Sequence, residues 1–242
     1  MKRTLRIVWL IFAFVLLGFH LLQGRKIDAY ETANSIRELG AKAESAGKYD
    51  LALRKFTEAI KVAEDADRSL QVRLQLDAAR VGIQTGESLG IAETLDALIE
   101  SEQATQLPKT LLRETRSLAA SAHYYAAYAL RLESAPRDMW LDEIERSRQH
   151  LRTLAENAAN RSNHEEADTY GQALESAIRL ERAGVFELNS KQIPMPCENA
   201  RKKGIFKKKC EQCDKKNGKR SEDEKEEKPG NSMKRFDPGQ GS

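Results

Sequence analysis

The three cysteines of this 242-residue chain are the residues whose spacing most directly suggests chemistry. Cys197, Cys210 and Cys213 read C-x12-C-x2-C, in a lysine-rich setting. A zinc site usually needs four Cys or His ligands, but no His lies nearby and Asp214 is a poor fourth ligand. Asp214 also stands where haem attachment requires His, and a redox C-x-x-C normally begins a helix in a βαβ unit. Three alternatives stay open: a simple disulfide or incidental thiols, a metal site, and an intermolecular or redox disulfide.

The histidines and acidic residues do not form a recognisable catalytic motif. The histidines are His20, His123, His150 and His164. The first lies in an apolar run, and the other three lie on three different predicted helices. His123 is expected to be a packed or rim residue rather than a base. The sequence contains no H-E-x-x-H, G-x-S-x-G, P-loop or G-x-G-x-x-G motif. We therefore predict that the chain is not an enzyme and has no catalytic residue and no cofactor.

An apolar segment near the N-terminus predicts contact with a membrane. Lys2, Arg3 and Arg6 precede the uninterrupted run of residues 7–22. Its length lies between that of a signal-peptide core and the roughly 20 residues of a transmembrane helix. No A-x-A-like cleavage pair follows the run, which favours a retained single-pass anchor over residues 1–26. The basic residues favour a cytoplasmic N-terminus and an extracytoplasmic body. If the segment is cleaved as a signal peptide, the protein is secreted.

Charge is distributed unevenly along the chain. The net charge is +3; residues 1–26 carry +5 and residues 201–242 carry +6, so residues 27–200 carry −8. This charge argues against nucleic-acid binding by the central body, because phosphate recognition requires a positive surface.

The central body has the periodicity of amphipathic helices. Apolar residues recur every three or four positions, and no segment alternates polar and apolar residues as a strand does. The predicted apolar stripes of the first four helices are Leu39, Ala43 and Ala46; Leu51, Phe56, Ala59, Ile60 and Ala63; Leu70, Leu74, Ala78 and Val81; and Leu89, Ala92, Leu95 and Ile99. Glycine- or proline-containing turns separate the helices at 46–48, 85–86 and 106–108. An all-α fold is predicted.

Residues 33–66 carry a more specific pattern. They read Ile36-x2-Leu39-Gly40-x2-Ala43, then Ala52-x3-Phe56, then Ala59. This segment resembles the tetratricopeptide repeat, W-x2-L-G-x2-Y…A-x3-F…P over 34 residues, with Ile36, Ala43 and Glu64 in place of Trp, Tyr and Pro. Gly40 and Ala52 are expected where the two helices of the hairpin cross. Residues 67–101 form a second, degenerate hairpin in which Asp96 stands four residues after Ala92. Residues 109–158 form a third hairpin, and 162–184 a capping helix.

The resemblance implies a helix-hairpin solenoid that binds other proteins in a groove. In related repeats, exposed residues of each hairpin's first helix line this groove. The matching positions are Asn34, Arg37, Arg68, Gln71 and Gln75. We therefore predict that residues 27–189 form a tetratricopeptide-like domain that acts as a membrane-tethered adaptor for an unidentified protein partner.

The C-terminal segment, residues 190–242, differs sharply from the body. Pro194 and Pro196 interrupt any helix, and residues 201–220 contain ten basic and two acidic residues. Such a composition predicts a mainly disordered tail. The alternative function is binding of a metal, an anionic polymer or a lipid by this Lys- and Cys-rich tail.

Overall fold

A computed structural model describes residues 27–65, 67–190 and 192–204. Its α-helices, in chain order, are α1 (27–45), α2 (Tyr49–Val62), α3 (Arg68–Gln84), α4 (Ser88–Glu100), α5 (Lys109–Leu132), α6 (Arg137–Asn160), α7 (His164–Arg182), α8 (Val185–Ser190) and α9 (Met195–Lys202). Short 3-10 helices follow α2 and α4. No strand occurs in these ranges, so the predicted all-α class is confirmed for the described part of the chain.

The membrane prediction concerns a different part of the chain. Residues 1–26 lie outside the described residues. None of the helices within the described ranges combines the length and the apolar composition that crossing a bilayer requires.

Local turn chemistry explains where the helices end. Gly47 and Gly86 follow the C-terminal ends of α1 and α3 with φ values of 71° and 89°. Glycine adopts this left-handed conformation without the steric cost that a β-carbon imposes. Pro108 and Pro136 stand immediately before α5 and α6, where their missing N–H groups leave no hydrogen bond unmade. The turns predicted from the sequence at 46–48, 85–86 and 106–108 therefore agree with the structure.

The first hairpin packs α1 against α2 through very small residues. A β-carbon on Gly40 would lie only 2.7 Å from Cε1 of Phe56, so this glycine is needed at the helix crossing. Phe56, Ala52 and Ala59 are fully buried. The prediction of a close crossing at Gly40 is confirmed.

Leu39 departs from the predicted apolar stripe. Its side chain is 49 % exposed, whereas Ala33, Gly40 and Ala43 are buried. Successive helical residues are about 100° apart, so a helix that turns Gly40 towards Phe56 turns Leu39 outward. The prediction that Leu39 belongs to the buried stripe is wrong.

The odd-numbered helices α1, α3, α5 and α7 run parallel to one another. Two ion pairs join α1 to α3: Arg37 with Asp77, and Glu44 with Arg80. The later residue of α1 pairs with the later residue of α3, so the two helices run in the same direction. Between α3 and α5, the earlier residues Val72 and Leu76 share an apolar cluster with Leu111, and the later residue Ile83 packs with Ala122.

Helices α5 and α7 also run parallel to each other. Arg113, near the start of α5, lies 3.1 Å from Glu166, near the start of α7. Arg131, at the other end of α5, donates to the backbone carbonyls of Leu180 and Ala183. The first helices of the three hairpins and the capping helix α7 thus run in the same direction.

Helix α9 lies within the segment that the sequence assigns to a disordered tail, and that prediction is wrong for residues 195–202. α9 packs on α3 and α5 and buries Cys197 and Ala200 completely. Asn199 donates to the carbonyl of Gln84, and Lys203 forms an ion pair with Glu87. The apolar face of this short segment outweighs the charge that follows it.

Candidate functional site

The predicted groove residues are less accessible than expected. All five are only half-buried positions on α1 and α3: Asn34, Arg37, Arg68, Gln71 and Gln75. Arg37 donates to the buried Asp77 at 2.5 Å. Gln71 donates to the carbonyls of Ala63 and Glu64, both at 3.0 Å. These side chains are therefore only partly exposed, and at least two of them, Arg37 and Gln71, support the fold.

A groove instead follows α5 along the face that it shares with α3 and α7. Three adjoining depressions of about 340, 280 and 390 Å³ make up this groove. Their α5 residues fall on one face of that helix: Arg113, Glu114, Ser117, Leu118, Ala120, Ser121, Tyr124, Tyr125 and Tyr128. Ser121 belongs to the first two depressions, and Tyr124 to the last two, so the depressions are continuous.

The flanking helices complete this α5 groove. Leu76 and Arg80 of α3 and Tyr170 of α7 line its first part. Burial raises the pKa of Tyr124 to about 12, so its phenol stays protonated and can donate a hydrogen bond at neutral pH. Charged side chains line both ends of the groove, so its lining mixes polar, apolar and phenol groups as the surfaces of protein interfaces do.

Helix α9 contacts α5 at Tyr125, one of the residues that line the groove. Sγ of Cys197 lies 3.9 Å from the carbonyl oxygen of Tyr125, and α9 also crosses the turn at Gly86. Cys197 is a free thiol, and burial raises its pKa to about 12. It is therefore a small packing residue, whereas the predicted partners Cys210 and Cys213 lie outside the described residues.

A buried polar cluster, here called the His–Asp cluster, joins α4, α5 and α6. It contains Asp96, His123, Glu143, Arg146 and His150. Nε2 of His123 lies 3.0 Å from Oδ2 of Asp96, and Nε2 of His150 lies 2.8 Å from Oδ1 of the same carboxylate. Nδ1 of His123 lies 2.7 Å from Oε2 of Glu143. A guanidinium nitrogen of Arg146 donates to Asp96 at 3.1 Å.

The electrostatics of the His–Asp cluster reflect competition between burial and pairing. Burial by itself would raise the pKa of Asp96, but hydrogen bonds from His123 and His150 hold it well below its usual range. Burial would lower the pKa of His123, but its hydrogen bonds to Asp96 and Glu143 raise it. A buried carboxylate is stable when it is paired in this way.

One feature of the sequence signals a buried polar cluster. Asp96 follows Ala92 by four residues, just as the buried Phe56 follows Ala52. An acid at a position that the periodicity assigns to the core must have a buried partner. The partners could not be named from sequence, because His123 and His150 lie 27 and 54 residues further along the chain.

Asp96, His123 and His150 offer three ligand atoms that all lie within 4.8 Å of one another, a spacing compatible with a metal ion. Comparison of the chain with protein-family models, with curated proteins and with solved structures finds no match.

Proposed function

We propose that the protein is a membrane-tethered, extracytoplasmic adaptor whose tetratricopeptide-like body binds a helix of a partner protein in the α5 groove. The observation that carries this proposal is the parallel arrangement of α3, α5 and α7 along one groove. Stacked helix hairpins bind partner segments with the surface that their first helices share. The Gly40–Phe56 crossing supports the assignment of a tetratricopeptide-like hairpin to residues 33–66.

The partner segment is proposed to be an amphipathic helix with small residues on its apolar face. The chain's own α9 supports this choice, since it packs on α3 and α5 through Cys197 and Ala200. The α5 groove, with Ser121 and Tyr124 in its lining, contains no residue of α9 and is available to a second helix. Tyrosine-lined surfaces are common at the energetic centres of protein interfaces.

The membrane anchor is proposed for residues 1–26 from their sequence, with the body on the extracytoplasmic side. Extraction of membranes with alkaline carbonate should leave the full chain in the pellet. N-terminal sequencing that finds a mature chain beginning near residue 29 would favour secretion instead.

The adaptor proposal is tested by capturing partners from solubilised membranes with the full chain and with the Ser121→Arg variant. Ser121 is half-buried in the groove and donates to the carbonyl of Ser117. The control is Ser45→Arg, because Ser45 makes a similar bond to the Lys42 carbonyl on α1 but lies outside the groove. We expect Ser121→Arg to lose the partner and Ser45→Arg to retain it.

The alternative, binding of a metal, polymer or lipid by the basic tail, is tested by a truncation. The deletion must begin at residue 205, because removing α9 would also expose the body. An adaptor retains its partner without residues 205–242. If the truncated chain loses the partner while Ser121→Arg retains it, the tail is the binding element and the groove proposal is wrong.

A further inference from the structure

Three donor atoms of the His–Asp cluster converge on one small volume. The two imidazole Nε2 atoms of His123 and His150 face the two oxygens of the Asp96 carboxylate at 3.0 and 2.8 Å. In tetrahedral zinc sites, metal–ligand bonds of about 2.0–2.2 Å place neighbouring donors about 3.3 Å apart. Small side-chain rotations would therefore open the cluster enough to admit an ion.

We propose that Asp96, His123 and His150 bind a divalent transition-metal ion, with Zn²⁺ as the preferred ion. Two neutral imidazoles and a carboxylate are a ligand set that zinc accepts readily. Three protein ligands leave a fourth position for water. The proposal is independent of the partner-binding groove, and it concerns the helical body rather than the cysteines of the tail.

Glu143 strengthens this assignment because it contacts the other nitrogen of His123. Its Oε2 lies 2.7 Å from Nδ1, and both side chains are nearly inaccessible, at 6 % and 2 % exposure. A carboxylate that accepts the Nδ1 proton leaves Nε2 free to bind a metal, and this carboxylate–histidine–metal arrangement is common around zinc. Glu143 is thus a positioning residue for His123.

The charge of the cluster also favours a cation. The carboxylates of Asp96 and Glu143 are buried on different helices, and His123 lies between them. Buried charges require compensation by an opposite charge. His123, His150 and Arg146 provide this compensation to Asp96 in the structure, and a metal ion bound to Nε2 of His123 and to Asp96 would provide it when the imidazoles are neutral.

Arg146 covers the cluster on the solvent side and has to move for the ion to enter. Its side chain is 48 % exposed, and it also lies 3.4 Å from Asp142. Rotation towards Asp142 would release Asp96 while preserving an ion pair. The position of Arg146 therefore provides an entry path through a flexible, half-exposed side chain.

The experiment uses the untagged full chain in detergent, with Cys210→Ser and Cys213→Ser to remove the tail thiols. Co²⁺ is the spectroscopic probe, and Zn²⁺ is then added as competitor. We expect one Co²⁺ per chain with visible absorption typical of a nitrogen- and oxygen-ligated ion, without thiolate charge-transfer bands, and displacement by Zn²⁺. Zn²⁺ should also raise the melting temperature of this parent chain.

Single variants identify the ligands. His123→Gln and His150→Gln should each weaken Co²⁺ binding at least about 10-fold, and Glu143→Gln should weaken it about 10–100-fold, the usual range for such supporting residues. His164→Gln is the matched control, because His164 is exposed at the start of α7 and should not affect binding.

Circular dichroism establishes that each variant is folded. If His123→Gln unfolds, the His150→Gln variant tests the proposal. The His150 side chain is the more exposed of the two histidines, at 13 %, so its replacement disturbs the fold less. The proposal is overturned if the parent chain binds neither Co²⁺ nor Zn²⁺. It is also overturned if folded His150→Gln binds both ions as the parent does, which would identify the cluster as an ion-pair network only.

Discussion

Replacement of Gly86 by alanine should detach α9 from the body. Gly86 has a φ of 89°, and a β-carbon there would lie 2.3 Å from the backbone nitrogen of Ala200 and 2.5 Å from the carbonyl carbon of Asn199. Ordinary van der Waals contact begins near 3.4 Å. Because these neighbours are backbone atoms, they cannot rotate away, and α9 must move by about 1 Å or dissociate.

Gly86→Ala should lower the free energy of unfolding through two effects. Alanine in the left-handed conformation costs about 1–2 kcal/mol. Overpacking against α9 adds about 1–3 kcal/mol. Gly47→Ala separates the two parts, since Gly47 has a φ of 71° but no atom within 4 Å of its β-carbon position. It should show the conformational cost alone.

Reactivity of Cys197 reports directly on α9. In a chain with Cys210→Ser and Cys213→Ser, Cys197 is the remaining thiol. Its pKa of about 12 leaves roughly 1 in 10⁴ molecules as thiolate at pH 8, compared with about a quarter for an exposed cysteine of pKa about 8.5. Removal of α9 from its site should therefore accelerate thiol labelling by up to roughly 10³-fold.

The measurement is the rate of labelling by a thiol reagent at pH 8 for the parent, Gly86→Ala and Gly47→Ala chains. We expect much faster labelling in Gly86→Ala and little change in Gly47→Ala. Equal rates in the two variants would refute the reasoning, because the contact with Ala200 would then have no role in holding α9.

Three further substitutions test the packing and the helix ends by thermal denaturation. Gly40→Leu should lower the free energy of unfolding by about 1–3 kcal/mol or more, because Phe56 cannot make room; an unchanged melting temperature would remove Gly40 from the crossing. Asn163→Ala should cost about 1 kcal/mol, because its side chain accepts from the backbone of Glu166 and caps α7; equal loss in Ser162→Ala would contradict that assignment. Gln71→Ala should lower the free energy of unfolding by about 1 kcal/mol, because it loses two hydrogen bonds to the 3-10 helix after α2, and Gln75→Ala should lower it less; the reverse order would show that those bonds contribute little.

Helix boundaries were predictable because their causes are local. Gly47, Gly86, Pro108 and Pro136 each restrict or release the backbone at their own position, so the sequence marks these turns directly. The start of α7 shows how closely such local residues mark a helix boundary. The sequence predicts a helix from residue 162, and the side chain of Asn163 caps it by accepting from the backbone N–H of Glu166.

The rotation of each helix was harder to predict, because it depends on the neighbouring helix. Leu39 and Gly40 are adjacent in sequence, and only the ring of Phe56 determines which of them faces α2. The same holds for the His–Asp cluster. Asp96, His123 and His150 are unremarkable on their separate helices, and they meet only when α4, α5 and α6 adopt particular rotations.

Composition misled the prediction for α9. The dense charge after residue 200 dominates any window that includes Met195–Lys202, and the prolines nearby suggest an irregular segment. However, Pro194 precedes the helix and Pro196 lies in its first turn, where proline is tolerated. The two small buried residues, Cys197 and Ala200, are too few to produce a recognisable periodicity.

The docking of α9 also has a consequence for how the chain folds. Neighbouring helices account for most of the other contacts between helices, so these can form as soon as each hairpin is complete. The contacts of α9 close loops of 72 to 116 residues, to Tyr125, Gln84 and Glu87. Contacts of such long sequence separation carry a loop-closure entropy that local contacts do not. We therefore expect α9 to be the last helix to join during refolding and the first to leave during unfolding, with Cys197 labelling ahead of the loss of helical signal.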